Sequence, residues 1–200
     1  MGFKIDILGI VIIILIIFLS YRMYLNSDLL QLKCIVSTKD GRKYCVRDRE
    51  KLNEAADRLA EVNDKLIKIA KHCIDTYPDQ KRCKLLKKNF NPKKIVETLP
   101  TSEFTAYSEN KGEKIAFCLD KNSKESTNSI IDNNTLTYVA LHELAHVCSE
   151  SIGHTPEFWD NFKFLLMEAE KLGYYKPVDY KKNPGKYCGM PITDNPYYDH

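Results

Sequence analysis

The chain lacks several features that assign proteins to common classes. Its seven cysteines include no Cys-x-x-Cys pair, which argues against a structural zinc site with cysteine ligands. Neither sign of charge dominates, because 30 Lys and Arg residues face 27 Asp and Glu residues and leave a net charge of +3. We therefore expect no nucleic-acid partner.

The chain also lacks the length for two catalytic domains and the composition of a disordered protein. Of its 200 residues, 44% are hydrophobic and 28% are charged, which is typical of a folded globular protein. We expect a single domain of ordinary size after the amino-terminal segment.

The cysteine count is high for this length, and without a metal site it favours disulfides in an oxidising compartment. Two pairs are predicted from proximity along the chain: Cys34 with Cys45 and Cys73 with Cys83. One further cysteine must stay free or pair between chains, among Cys118, Cys148 and Cys188. The alternative is a set of reduced thiols buried in the core, where cysteine packs as a small apolar residue.

The amino-terminal segment carries the one long apolar run, from Ile7 to Leu19. It predicts a single-pass membrane anchor over residues 1–26, extended by the residues that flank Arg22. A cleaved secretory signal is the alternative, but bulky residues stand where small ones are needed for cleavage: Phe18, Leu19, Tyr21 and Leu25. Flanking charges do not fix the orientation. The cysteines favour a domain on the oxidising side of the membrane, extracellular or lumenal.

Two further segments follow the anchor. Residues 27–47 predict a cysteine-linked β-hairpin that turns at Asp40-Gly41. In residues 48–200, apolar residues at three- and four-residue steps predict a long helix that ends before Pro78. Short helices are expected at 81–89 and 92–99.

The second half of the chain combines strands and helices. Residues 104–119 predict two strands joined at Gly112, and helices are expected at 136–152 and 155–172, each followed by a glycine. The tail from 174 to 200 should be irregular. The predicted fold is α+β: a transmembrane helix, then a small, mainly helical, zincin-like domain with a short antiparallel sheet before the 136–152 helix.

That helix contains the sequence His142-Glu143-Leu144-Ala145-His146. Histidines four residues apart lie on the same helix face, so both imidazoles can bind one Zn²⁺ while Glu143 lies beside the open coordination position. This arrangement predicts His142 and His146 as zinc ligands and Glu143 as the catalytic base.

A third ligand is needed, and His154 is the first candidate because a turn between two helices can return it to the metal. Carboxylates are the alternatives, at Glu150, Glu157 and Glu168. His72 has no partner at ligand spacing, so we expect a structural or exposed position for it.

HELAH followed by GHTPEFW resembles the small gluzincin-type zinc metallopeptidases of the WLM and SprT-like families. The resemblance covers about residues 138–159 and implies metal ligation by His142, His146 and His154 with Glu143 as base. It also implies that an edge strand near 115–119 aligns an extended substrate, and that Phe158 and Trp159 are core residues. The interval between His146 and His154 is longer than in the WLM pattern. The tail segments KPVDY, YCGM and NPYYD resemble uncharacterised anchored proteins of large DNA viruses, and this resemblance implies a virion membrane as the location.

The expected function is a zinc-dependent endopeptidase that cuts proteins or peptides at or near a membrane. The alternative is a membrane-displayed, disulfide-stapled binding or structural module whose zinc is not catalytic; Glu143→Gln would then be silent and His142→Ala would unfold the domain. An enzyme that clears DNA–protein crosslinks is disfavoured by the nearly neutral charge. The transition-state donor is left open among Tyr138, Tyr174, Tyr187 and the other tyrosines of the chain.

Overall fold

The computed structural model of the chain describes residues 7–25, 31–122 and 129–199. The outer ends of the predicted anchor, the start of the predicted hairpin segment and His200 lie outside these ranges. Helix α1 (Ile7–Leu25) is present, and its apolar window Ile7–Tyr24 has a mean hydropathy of 2.4 and is not buried by the rest of the chain. The helix is long and apolar enough to cross a membrane, a test that a signal sequence also passes.

The domain is built on one five-stranded mixed sheet with the strand order β1-β2-β3-β5-β4. Its strands are β1 (Leu32–Val36), β2 (Lys43–Arg47), β3 (Ile95–Glu97), β4 (Ala106–Glu109) and β5 (Lys114–Phe117). The β1–β2 and β4–β5 pairs are antiparallel, as predicted, whereas β2–β3 and β3–β5 are parallel. The prediction of a short antiparallel sheet is therefore wrong, because the two hairpins are joined through β3.

Strand β3 replaces the helix predicted at 92–99. Its β-branched residues Ile95 and Val96 pair with Ile115 and Ala116 of β5, and β-branched side chains favour a pleated surface. Glu97 is buried and accepts hydrogen bonds from the Arg47 backbone and the Arg49 guanidinium. These contacts are distant in sequence, so the local pattern did not reveal the strand.

Four helices pack against the sheet and against one another: α2 (Leu52–Thr76), α3 (Lys81–Asn89), α4 (Asn133–Val147) and α5 (Pro156–Lys171). Helices α2, α3 and α5 confirm the predictions for those segments. The helices α2 and α3 form the crossover that parallel pairing of β2 with β3 requires. The core between sheet and helices includes Leu59, Leu66, Phe117 and Phe162, all fully buried.

The tail is more regular than predicted. It forms a second hairpin from β6 (Gly185–Tyr187) and β7 (Met190–Ile192), followed by a 3₁₀ turn at Pro196–Tyr198. The backbone N–H of Cys188 donates to the Asp120 carbonyl at 3.0 Å, which docks this hairpin beside the end of β5.

Two disulfides are formed in the described part of the chain. Cys34–Cys45 closes the first hairpin, as predicted, and Cys118–Cys188 joins the residue directly after β5 to the tail hairpin. The predicted Cys73–Cys83 pair is not formed: both thiols are free and, like that of Cys148, buried in the core. Burial raises the pKa of Cys73 to about 12, so this thiol behaves as an apolar core group.

Candidate metal centre

Helix α4 carries the HELAH sequence and is defined at both ends. The Asp132 side chain accepts a hydrogen bond from the Thr135 backbone N–H at 2.8 Å and caps the start. The helix ends at Val147, not at Ile152 as predicted, and Asn161 of α5 donates to the Cys148 carbonyl at 3.1 Å just beyond it. The earlier end leaves a loop long enough to turn back toward the helix.

That loop returns His154 to the two helix histidines. The His142 and His154 Nε2 atoms are 3.0 Å apart, and the ring centroids of His142 and His146 are 5.1 Å apart. One nitrogen of each of the three rings lies within 4.8 Å of the others. The structure thus brings together the three histidines that the sequence predicts as ligands.

The three side chains provide the donor type that Zn²⁺ takes, and the two on the helix also have lowered pKa values. Burial lowers the pKa of His142 to about 3 and that of His146 to about 4, so both rings are neutral at pH 7 and have a lone pair for a metal. Three imidazole nitrogens are one of the donor sets that open catalytic zinc sites use, and this set is present here. Within the described residues this is the one such group.

Phe158 of α5 packs against the rings of the histidine cluster. Its buried ring lies 4.3 Å from the His146 centroid and 4.8 Å from the His142 centroid. The expectation that Phe158 is a core residue is therefore confirmed. Trp159 is different: it is 40% exposed, and its ring lies 5.7 Å from that of His154 at the outer side of the cluster. The prediction of a core position for Trp159 is wrong.

Glu143 occupies the position beside the histidines that the spacing predicts. It is 5% exposed and lines the same cleft as His142 and His146. Burial in an apolar setting raises the pKa of its carboxyl to about 8. A carboxyl with a pKa near neutrality can accept a proton and return it, as a general acid–base requires.

The loop that carries His154 is held by Glu157, the first-turn acid of α5. Its two carboxylate oxygens accept hydrogen bonds from the Glu150 N–H at 3.2 Å and the Ser151 N–H at 2.9 Å. The Lys111 ammonium donates to the Ser149 carbonyl at 3.0 Å and also to that of Ser151. Sequence reasoning missed Lys111, since nothing local links it to a loop 40 residues away.

The carboxylates considered as rival ligands lie outside the histidine group. Glu150 pairs with Lys81 at 2.6 Å, and Glu157 binds the loop backbone. Glu168 accepts a hydrogen bond from His72 at 3.0 Å inside the packed helices. That contact gives His72 the structural position expected for it.

A cleft of about 500 Å³ opens over the histidines, between α4, the His154 loop and strand β4. Its lining includes Phe104, Ala106, Ser108 and Ile152. The edge strand of the sheet on this side is β4, because β5 is paired on both sides. The expectation of an edge strand at 115–119 is therefore wrong by one strand.

The tyrosines named as donor candidates are engaged elsewhere. The Tyr138 hydroxyl donates to the Asp194 carbonyl at 2.8 Å, and the buried Tyr187 hydroxyl donates to the Thr105 carbonyl at 3.2 Å. Tyr174 lies near the Lys68 ammonium. Among the described tyrosines, Tyr107 of β4 is the one that lines the cleft.

Comparison with known proteins gives a family match and viral relatives. The family model for the WLM domain matches residues 48–196. The chain is 30% identical over 190 residues to "Uncharacterized protein R325" of Acanthamoeba polyphaga mimivirus, with 93% of this chain and 92% of that protein covered. No solved structure gives a significant match.

Two shorter matches are also to viral proteins. "Uncharacterized protein 136R" of Invertebrate iridescent virus 6 is 42% identical over 62 residues, which cover 31% of this chain and 34% of that protein. "Uncharacterized protein 042R" of Invertebrate iridescent virus 3 is 47% identical over 60 residues, which cover 30% and 36%. The resemblance to proteins of large DNA viruses is therefore confirmed.

Proposed function

Because the chain belongs to the WLM domain family, we propose that it is a zinc-dependent endopeptidase with a zincin-like catalytic domain. The observation that carries the proposal is the convergence of His142, His146 and His154, with Glu143 in the same cleft. The geometry adds to the helix motif, since the third histidine is brought in by a loop that the motif does not define.

Under this proposal the three histidines hold the metal and Glu143 moves protons. Zn²⁺, when bound, supplies a Lewis acid that activates water and polarises the scissile carbonyl. One carboxylate oxygen of Glu143 accepts the proton of the attacking water and later donates it to the leaving amine. Because Glu143 is almost completely buried, bulk water has little access to exchange protons with this oxygen.

The substrate in this proposal is an extended stretch of protein or peptide. Strand β4 is paired with β5 on one side only, and it borders the cleft. An extended segment can therefore add to its free edge through backbone hydrogen bonds. In such binding, backbone hydrogen bonds provide the affinity, and pockets for the substrate side chains provide the selectivity.

The proposed place of action is at or near a membrane. Helix α1 has the length and apolar composition of a single anchor, and two disulfides in the domain favour an oxidising side. The proposed partners are accordingly the membrane, through α1, and a protein substrate, without nucleic acid.

The test is zinc content and cleavage of a mixed peptide library by the full-length chain in detergent micelles under oxidising conditions. We expect about one zinc per chain and cleavage that falls by roughly 10²–10⁴-fold in Glu143→Gln. Glu150→Gln is the matched control, since that exposed carboxylate pairs with Lys81 at the surface. Absence of zinc would refute the proposal. Zinc without cleavage would favour a binding module with a non-catalytic site.

A further inference from the structure

Strand β4 borders two depressions that adjoin each other along the edge of the sheet. Its residue Ser108 pairs with Ile115, which points into the core, and Tyr107 pairs with Ala116 between the core-facing residues of β5. Successive side chains of a strand point to opposite faces. Ser108 therefore faces the helices and the histidines, while the Tyr107 side chain points to the opposite face and borders the metal cleft at the edge of the strand.

The second depression has a volume of about 630 Å³ and lies along the Tyr107 side of β4. It is lined by Leu99, Thr101, Ser102, Phe104, Tyr107, Ser108 and Glu109. It adjoins the metal cleft directly, because Phe104, Tyr107 and Ser108 line both. The rings of Phe104 and Tyr107 are 6.3 Å apart in an edge-to-face contact at this boundary.

We infer that this second depression, here called the Phe104 pocket, is a substrate subsite that selects a large apolar side chain. The inference rests on the proposed function, because it takes the metal cleft as the place where the substrate backbone is cut. A segment paired with the edge of β4 projects alternate side chains to the two faces of the sheet. One set faces the histidines, and the neighbouring side chain enters the Phe104 pocket.

The chemistry of the lining favours an apolar occupant over a charged one. The Glu109 carboxylate is already paired with the Lys114 ammonium at 3.4 Å, and that ammonium also lies over the Tyr107 ring. The Ser102 hydroxyl exchanges hydrogen bonds with the Phe104 backbone at 3.0 and 3.1 Å. The surface left for a ligand is mainly the Phe104 ring, which is 62% exposed, together with Leu99.

An exposed phenylalanine at the wall of a pocket indicates a binding role more than a stabilising one. Phe104 contributes little to the core, and large exposed apolar groups that border a cleft mark binding surfaces. Ile152, 89% exposed, stands on the opposite wall of the metal cleft. A substrate segment with apolar residues next to the scissile bond would cover both Phe104 and Ile152.

The test measures binding without turnover, on the full-length, zinc-loaded Glu143→Gln chain in detergent micelles. Short blocked peptides carry a single phenylalanine that is moved along an alanine–serine background, and fluorescence anisotropy gives their affinities. At one position we expect phenylalanine to bind about tenfold more tightly than alanine. Adding Phe104→Ala should reduce this preference to about threefold or less. Tyr198→Ala, an exposed aromatic residue that lines neither depression, should leave it unchanged.

The possible outcomes distinguish failure of the proposed subsite from failure of the proposed endopeptidase activity. Absence of binding, equal binding of phenylalanine and alanine peptides, or a preference that survives Phe104→Ala would each overturn the inference. A preference that depends on Phe104 supports it, whether or not the wild-type chain cleaves the preferred peptide. If the wild-type chain binds that peptide and leaves it intact, the proposed endopeptidase fails while the Phe104 pocket stands.

Discussion

At the scale of single residues, a carboxylate outside the histidine cluster holds the loop that carries His154. Glu157 binds two backbone N–H groups of the His154 loop, and its hydrogen bonds with Ser151 and with that backbone lower its pKa to about 2. Residues that orient a ligand affect metal affinity almost as strongly as the ligands do. The role of Glu157 can therefore be measured apart from that of His154.

We expect Glu157→Ala to weaken zinc binding by about tenfold, because the loop that carries His154 loses two of its anchoring hydrogen bonds. The two helix histidines, His142 and His146, keep their positions on α4. Competition with a chelating dye gives the affinity. Glu150→Ala, in the same loop but paired with Lys81 at the surface, should bind zinc as the wild type does, and an equal loss in both variants would contradict the assignment.

The same carboxylate gives a pH-dependent contribution to stability. Because its folded-state pKa lies near 2, below the ordinary value of 4.5, the contribution is fully present above about pH 5 and is lost as pH falls toward 2. Denaturant unfolding of the wild type and Glu157→Gln at several pH values should show a difference that shrinks on acidification. A difference that is constant from pH 3 to pH 7 would contradict this sign.

At this scale the sequence was informative where chemistry depends on spacing. The helix period places His142, Glu143 and His146 together without any tertiary information. Glu157 was noticed only as a rival ligand, and Trp159 was wrongly assigned to the core. Its exposure depends on how α5 meets the loop, which no local pattern defines.

At the scale of secondary-structure elements, the end of α4 meets the β4–β5 turn at very close range. Gly112 in that turn has φ +112°, and an added Cβ would lie 2.8 Å from Val147 side-chain carbons and 2.9 Å from the Asn89 carbonyl oxygen. Only a residue without a side chain fits there. The turn of the edge strand is thereby held against Val147, the last residue of the helix that carries His142 and His146.

We expect Gly112→Ala to lower the free energy of unfolding by about 2–4 kcal/mol, through backbone strain and overpacking combined. Gly41→Ala is the matched control: its φ is +71°, but no atom lies within 4 Å of the added Cβ. That variant should lose only about 1 kcal/mol. Denaturant titration measures both, and equal losses would show that the contact with Val147 is unimportant.

Elements with strong local patterns were predicted well, and β3 was not. The apolar stripe of α2 and the capping residues of α5 are determined by residues that are close together in the sequence. Strand β3 has three residues, and what fixes it is pairing with β2 and β5 and the contact of Glu97 with Arg47 and Arg49. Because these partners are distant in sequence, a short charged segment in a lysine-rich region resembled a helix.

At the scale of the whole molecule, the two disulfides close loops of very different length. Cys34–Cys45 spans 11 residues, and Cys118–Cys188 spans 70 residues that include α4 and α5. A longer loop loses more entropy in the unfolded chain when it is closed. The fold therefore depends more on the second bridge.

Replacing both Cys118 and Cys188 with alanine should destabilise the domain by about 4 kcal/mol, against about 3 kcal/mol for the Cys34 and Cys45 pair. Urea unfolding of the two double variants under oxidising conditions gives the comparison. A larger loss for the short hairpin bridge would contradict this order.

The overall architecture was predictable as a class but not as a topology. Segments with the hydrophobic period of helices and segments with that of strands both occur in the chain, which indicated an α+β fold with the HELAH helix after a strand pair. The structure has this order of elements. The mixed sheet and the Cys118–Cys188 bridge required knowledge of which distant segments meet. Seven cysteines can pair in many ways, and sequence alone does not select among them. Proximity in the sequence therefore gave the wrong prediction that Cys73 pairs with Cys83.

The Cys118–Cys188 bridge makes the part of the chain that holds the histidines a covalent ring. His142, Glu143, His146 and His154 all lie between the two bridged cysteines. A single break in the backbone anywhere in that ring, by self-digestion or by a foreign protease, leaves the two pieces joined through sulfur. A nicked molecule keeps its mass on a non-reducing gel and divides only when reductant is added.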